Sequence, residues 1–505
     1  MPAPAIRYRI DLVQPLPTLS RVFTLALLGL VACAPEASEP ASTATASAAG
    51  PHARNVILVV ADTLRANRLG CYGYERDTSP AIDALAASGT LYEDCHSQAC
   101  WTLPSMISIM TGMPVTKRET VLPPMPVLAE TLQAEGLATA AFLANNTVGV
   151  DRGFERGFDH FGEVSNLPAV EVVGAFADWH AGWRAGAEDD AQFFAWVHFI
   201  DPHHPYEPGP QDDVFSGVGP QRGDLEPRWR AKAERALELS PGLAGLAVED
   251  AVLGMQEVSN RYDGEVRAVD RGVERLVEVL RARGELEDTL IVLCSDHGEM
   301  LYEQENFPYL VQDRIQGEGG LPDGVMDLFG AGHRPWYYED LWRTPLIFSG
   351  PGFEAGRRQG GLAANLDLYP TILEALQIER PPFLRGESLL GAREPQREHV
   401  FAYGHYTTVV LDRSRAKLVV NMPKLFLLEP SVESPLQLFD LRSDPAEREN
   451  LATTDAPRVE RLLGAIDAWR AANERQVIDT TSEAALEAMN QMGYIDDIRP
   501  DESDE

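Results

Sequence analysis

The sequence predicts an α/β fold: a mixed, mostly parallel central sheet flanked by helices, with a second, smaller domain. Three observations predict it. At 505 residues the chain is too long for one small core. Its short apolar runs are continuous, the mark of strands buried on both faces. Helix-patterned stretches separate those runs, as crossovers between parallel strands require.

In chain order, "NVILVVADTLR" is the first buried run and ends at Asp62. "SPAIDALAASG" and "PVLAETLQAEG" follow as helices. "TAAFLANN" is a strand ending at Asn145 and Asn146, and "FFAWVHFIDPHHPY" runs into Asp201, His203 and His204. His198 lies inside that strand and reads as a packed core histidine. "VRAVDRGVERLVEVLRARGE" carries apolar residues at helical spacing and ends near a glycine. "TLIVLCSDHGE" ends at Asp296 and His297, and "TPLIFSGPG" ends in a Gly-Pro turn.

Ligands collect at the carboxyl ends of the strands in such a sheet. A lone Asp after a strand is commonly a helix cap, which is the plain reading of Asp62 alone. Three strands that end in carboxylate and imidazole groups instead suit a divalent metal site.

Hydrophobic residues at 44% and charged residues at 24% fit a globular protein. The formal charge of -34 argues against nucleic acid, since phosphate recognition wants a basic face. Near the N-terminus, Arg7, Arg9 and Arg21 precede "VFTLALLGLVAC", an apolar run short for a membrane span and typical of a secretory signal. Its end at Cys33 resembles the bacterial lipobox, in which the cysteine is lipidated. The expectation is a lipoprotein-type signal over 1–33 and a low-complexity linker over 34–53. That places the protein in a bacterial-type cell envelope, lipid-anchored in the periplasm or at the outer membrane. An exported chain could join Cys71, Cys95, Cys100 and Cys294 in up to two disulfides, with Cys95 and Cys100 one candidate pair.

Six segments in order resemble the sulfatase branch of the alkaline phosphatase superfamily, from about Asn55 to Leu451. They include "ILVVADTLRANRLGCYGY", "WTLPSMISIMTG", "WVHFIDPHHPY", "TLIVLCSDHGE", "YYEDLWRTPLIFSGPG" and "LQLFDLRSDPAERENL". The resemblance implies a catalytic domain over 54–380 and a C-terminal α+β subdomain over 381–480 with a short antiparallel sheet. An acidic tail over 481–505 follows.

The departures are as informative. Conventional sulfatases carry C-x-P-S-R, whose cysteine becomes formylglycine. Here Pro104-Ser105 puts Thr102 at that position and Met106 where the arginine belongs. Cys100 stands four residues before the proline, outside that context. Asp62 is followed by Thr63 where the family has a second aspartate, and "LANNTVG" replaces its G-K-W-H segment.

The remaining set of Asp62, Thr102, Asp296 and His297 resembles the metal site of threonine-nucleophile members of the superfamily. It implies a divalent ion, Zn, Mn or Ca, that activates Thr102. His203 and His333 correspond to flanking histidines that contact anionic oxygens or protonate the leaving group. Asn145 and Asn146 would donate neutral hydrogen bonds to substrate. A second ion could recruit Asp201 and the histidines.

The expected activity is metal-dependent hydrolysis of a sulfate or phosphate ester, with phosphoester or phosphonate chemistry favoured. The alternatives are a true sulfuric ester hydrolase without formylglycine and a non-catalytic anion- or glycan-binding surface lipoprotein. Membrane-embedded transferases of the group carry several spans, and no such run follows residue 33, which favours hydrolysis.

Overall fold

The computed structural model describes residues 52–115, 126–218, 229–231, 233–234, 237, 245–301, 333, 337–404, 407–421 and 434–473. The signal, most of the linker and the acidic tail expected from sequence lie outside the described residues, as does Cys33. No helix among the described residues is long and apolar enough to cross a membrane.

The strands in chain order are β1 (Asn55–Ala61), β2 (Thr90–Tyr92), β3 (Cys95–His96), β4 (Ala138–Leu143), β5 (His160–Glu163), β6 (Phe193–Phe199), β7 (Thr289–Cys294), β8 (Arg343–Thr344), β9 (Leu346–Ser349), β10 (Arg357–Gln359), β11 (Ala363–Ala364), β12 (His399–Tyr403), β13 (Thr407–Asp412), β14 (Ala416–Asn421) and β15 (Leu436–Asp440). The helices are α1 (Pro80–Ala87), α2 (Thr102–Thr111), α3 (Leu128–Ala134), α4 (Ala169–Arg184), α5 (Val248–Arg283), α6 (Glu339–Trp342), α7 (Leu368–Ala375) and α8 (Ala456–Asn473).

Eight strands form the main sheet in the order β10-β2-β9-β7-β1-β6-β4-β5. The run from β7 to β5 is parallel, and β9 enters antiparallel between β7 and β2. The sheet is therefore mixed and mostly parallel, as the continuous apolar runs predict.

Alternation along β1 explains why no polar face appears in its sequence. Ile57, Val59 and Ala61 join one apolar cluster with Val172 and Phe176 of α4 and Val269, Val273 and Leu276 of α5. Val56, Leu58 and Val60 join the opposite cluster with Met106 and Met110 of α2, Leu128 of α3 and Ile372 of α7. Each large apolar side chain buried this way contributes about 1.5–3 kcal/mol. The register aligns Val60 with both His198 and Cys294, so the carboxyl ends of β1, β6 and β7 open together.

The helices stop where the sequence signals. α5 ends at Gly284, whose φ of 71° supplies the left-handed turn a glycine adopts without Cβ strain. α5 runs 36 residues and begins well before the stretch whose periodicity announces it.

Beyond the main sheet, β12 to β15 form an antiparallel meander. One of its faces packs on α8 through Val410, Leu418, Leu438, Leu462 and Ile466. The other shares a cluster with Cys100, Met300, Tyr337 and Trp342, from around the ends of the main sheet.

Candidate active site

Asp62 follows β1, Asp296 and His297 follow β7, and all three are fully buried. Their ligating atoms lie within 4.8 Å of one another. Each carboxylate uses one oxygen on the protein and leaves the other bare. Asp62 Oδ2 accepts from Asn145 Nδ2 at 2.5 Å and from Thr102 Oγ1 at 3.5 Å, and His198 Nε2 lies 3.4 Å away. Asp62 Oδ1 has no hydrogen-bond partner. Asp296 Oδ1 accepts from the amides of His297 at 2.9 Å and Thr63 at 3.2 Å, and its buried Oδ2 has no partner.

Thr63 gives its amide in this way because its φ is 56°, unusual for a β-branched residue. Its carbonyl accepts from the Tyr262 hydroxyl at 2.7 Å, which helps hold the conformation.

The imidazole of His297 is oriented by Nδ1, which donates to the Gly298 carbonyl at 2.8 Å. That leaves Nε2 as the lone-pair nitrogen, 3.4 Å from Asp296 Oδ2 and 3.8 Å from Asp62 Oδ1. Thr102 Oγ1 lies 3.4 Å from the same nitrogen. Two buried orphan carboxylate oxygens, a lone-pair nitrogen and a hydroxyl converge, a donor set that fits a divalent cation.

The electrostatics agree. Burial alone would raise Asp62, but the His198 hydrogen bond and the nearby His203 and His297 outweigh it and hold Asp62 below the usual carboxylate range. Burial, then the charge of Asp62, pushes Asp296 up to about 7. Burial lowers His297, which keeps the imidazole neutral and ready to ligate.

Thr102 is the first residue of α2, whose N-cap is Trp101. Its hydroxyl is directed at Asp62 and His297 and does not serve as the helix cap. The positive end of α2 therefore lies beside the carboxylate pair.

Of the predicted histidines, the His333 ring lies tilted 4.3 Å from the His297 ring and edge-on 5.1 Å from the His203 ring, centroid to centroid. His203 Nδ1 donates to the His204 carbonyl at 2.6 Å, so Nε2 is its exchangeable position. His204 turns toward Tyr206, with ring centroids 5.5 Å apart.

The two asparagines part company. Asn145 is buried, and its Oδ1 caps the Thr147 amide at 2.8 Å while its Nδ2 binds Asp62. Asn146 is exposed and accepts from Ser165 Oγ. Asp201 spends Oδ1 on the Ala169 amide at the start of α4 and is not among the clustered ligands.

The Cys95–Cys100 bridge suggested by their proximity is not formed, and none of the four described cysteines is in a disulfide. Cys95 Sγ donates to Asn365 Oδ1 at 3.5 Å. Cys100 packs with Met300, Tyr337 and Trp342, and burial pushes its thiol up to about 12.

Sequence reasoning missed His198 as a partner of Asp62, and it missed Glu299. Glu299 Oε1 accepts from His333 Nδ1 at 3.1 Å, and against the opposing effect of burial His333 holds Glu299 below the usual carboxylate range. The available signals were a lone histidine in an all-apolar strand and an acid two residues after His297.

A second group, Asp94, His96 and Glu339, also has ligand spacing. Its carboxylates already pair with Arg415 and Lys417, so it is an ion-pair network.

The pattern described as Sulfatase matches residues 54–378, and that described as N-sulphoglucosamine sulphohydrolase, C-terminal, matches residues 329–466. An ulvan-active sulfatase of Formosa agariphila is 23% identical over 83% of this chain and 80% of that protein. A protein solved with its substrate D-glucosamine-2-N,6-O-disulfate superposes with a TM-score of 0.63 at 18% identity, covering 85% of this chain and 100% of that one. Phosphonate monoester hydrolase of Agrobacterium radiobacter superposes with a TM-score of 0.60 at 21% identity, covering 83% and 96%.

Proposed function

The chain belongs to the sulfatase family, whose members hydrolyse esters, and from that premise we propose that Thr102 is its metal-activated nucleophile. The observation that carries this is the position of Thr102 Oγ1, 3.4 Å from His297 Nε2 and 3.5 Å from Asp62 Oδ2. A divalent ion held by Asp62, Asp296, His297 and Thr102 would lower the hydroxyl pKa and offset charge on the ester oxygens.

The chain's own groups then divide the work. Thr102 Oγ, its proton given up to water, attacks phosphorus or sulfur; the new Oγ bond forms as the bond to the leaving alcohol oxygen breaks. His203 or His333 gives that oxygen its proton. Water, deprotonated by the same imidazole, cleaves the threonine ester and releases phosphate or sulfate. The amides that open α2 favour the anion throughout. Asn145 orients Asp62, and Asn146 is left to meet substrate from the exposed side.

Threonine with a His-containing ligand set favours phosphoester or phosphonate substrates, and the relatives named sulfatases favour sulfate. A lipid anchor at Cys33 would hold the enzyme in the cell envelope.

The test is one panel: purified protein with 4-nitrophenyl sulfate, 4-nitrophenyl phosphate, bis-4-nitrophenyl phosphate and a phenylphosphonate ester, with added Zn, Mn or Ca. Turnover of the phosphorus esters above the sulfate is expected. Exclusive sulfate turnover overturns the phosphorus preference. No turnover and no bound metal would favour a binding protein.

A further inference from the structure

The segment "YDGEVRAVD" of α5 faces the site from behind, and two of its residues hold different parts of it. Tyr262 is fully buried; its hydroxyl donates to the Thr63 carbonyl at 2.7 Å and accepts from the Arg65 amide at 2.9 Å. It therefore pins the turn after β1 that carries Asp62. One helical turn later, Glu265 Oε1 accepts from the Glu207 amide at 2.6 Å. Glu207 closes the turn 201–207, which carries His203. The Tyr206 ring also packs edge-on against Tyr262, with centroids 5.5 Å apart at 88°. The approach leaves no slack, because a Cβ at Gly264 would come within 2.8 Å of Pro208.

We propose that this single turn of α5 is a clamp that keeps the acidic and histidine halves of the site in register, with Glu265 as its proton-sensitive positioning residue for His203.

The proton sensitivity follows from what surrounds Glu265. Burial, then the nearby Asp201 carboxylate, pushes it up to about 8, and Asp212 and Glu207 add to the effect. Arg271 is committed to Asp212, at 2.6 Å. Burial likewise pushes Asp201 up to about 6. A neutral Glu265 still accepts the Glu207 amide; an ionised one is buried among acids, and among the described residues no cation forms an ion pair with it. The folded value lies above the unfolded one, so the clamp is tightest at low pH and loosens as pH rises to about 8.

Hydrogen exchange of the Glu207 amide in the full chain tests this, read on a peptide spanning residues 203–209 and corrected for intrinsic rates. In the unmodified protein, protection is expected to fall by up to about tenfold per pH unit between about pH 6.5 and 8, the linkage of one proton. That window lies above the range of Asp201. Glu265→Gln is expected to keep protection and lose the slope, and Glu265→Ala to lose protection throughout. A flat profile in the unmodified protein, an unchanged slope in Glu265→Gln, or full protection in Glu265→Ala overturns the clamp. The unmodified profile decides even where a variant does not fold. The link to catalysis rests on the hydrolase reading, but the exchange readout does not, so absent turnover would count against that reading alone.

Discussion

Thr102 Oγ1 lies 3.4 Å from His297 Nε2, at the point where the bare oxygens of Asp62 and Asp296 also converge. On the reading proposed above, a hydroxyl so placed serves as metal ligand and nucleophile at once. Thr102→Ala is therefore expected to lower kcat by about 10³-fold or more. Thr102→Ser should keep a measurable fraction. The circular dichroism spectrum and melting curve of both should match the unmodified protein, because the removed atoms face the site. Turnover of Thr102→Ala within tenfold of normal would remove the threonine from the mechanism.

Asn145 and Asn146 are adjacent in sequence and differ in task. Asn145 fixes Asp62 Oδ2, so Asn145→Ala should weaken metal affinity by about 10–100-fold, as losses around ligating groups do. Asn146→Ala, on the exposed side, should leave metal affinity within about twofold and act on KM alone if it acts. Titration calorimetry with Mn and Zn separates the two; equal losses would contradict this division.

Cys100 has the chemistry of a formylglycine precursor and the surroundings of a core residue. Cys100→Ser should retain turnover within about threefold and cost about 1–3 kcal/mol of stability, because a buried sulfur packed among apolar groups beside the Tyr337 hydroxyl gives way to a smaller, more polar hydroxyl. Intact-mass analysis should find an unmodified cysteine. An aldehyde there would reopen the conventional sulfatase mechanism.

The buried Lys417 ammonium pairs with Glu339 at 3.3 Å and Glu447 at 2.6 Å. Burial raises Glu447 to about 7, with Lys417 opposing. The folded value exceeds the unfolded one, so stability from this group is lost as pH rises through about 7. Lys417→Met should destabilise by about 3–5 kcal/mol, more at pH 8 than at pH 6, where Glu447 can take up a proton. Urea melts at the two pH values check this; equal losses would exclude the linkage.

The main strands were legible because burial on both faces leaves an unbroken apolar run, as in β1 and β7, and a polar residue then marks the sheet edge. The clustering of Asp62, Asp296 and His297 was legible for the same reason, since each follows such a run. The two-residue strands β3, β8 and β11 were not, since so short a segment has no period to read. Neither was the first part of α5, which precedes the stretch whose periodicity announces the helix. Thr63 in the left-handed region escaped because threonine gives no local signal for it; the conformation is supported by Tyr262, 199 positions away. His198 was read as core, and it is buried. Its proximity to Asp62 depends on the β1–β6 register, which a single sequence does not display.

The apolar cluster that holds Cys100, two residues before Thr102, also contains Val400, Val409 and Leu411 of the terminal meander. Some 300 residues of chain separate the two sides of that contact. The segment presenting Thr102 therefore finds its supporting wall only once the chain has been extended past Leu411. A chain that stops short of the meander leaves that wall of the Thr102 segment open.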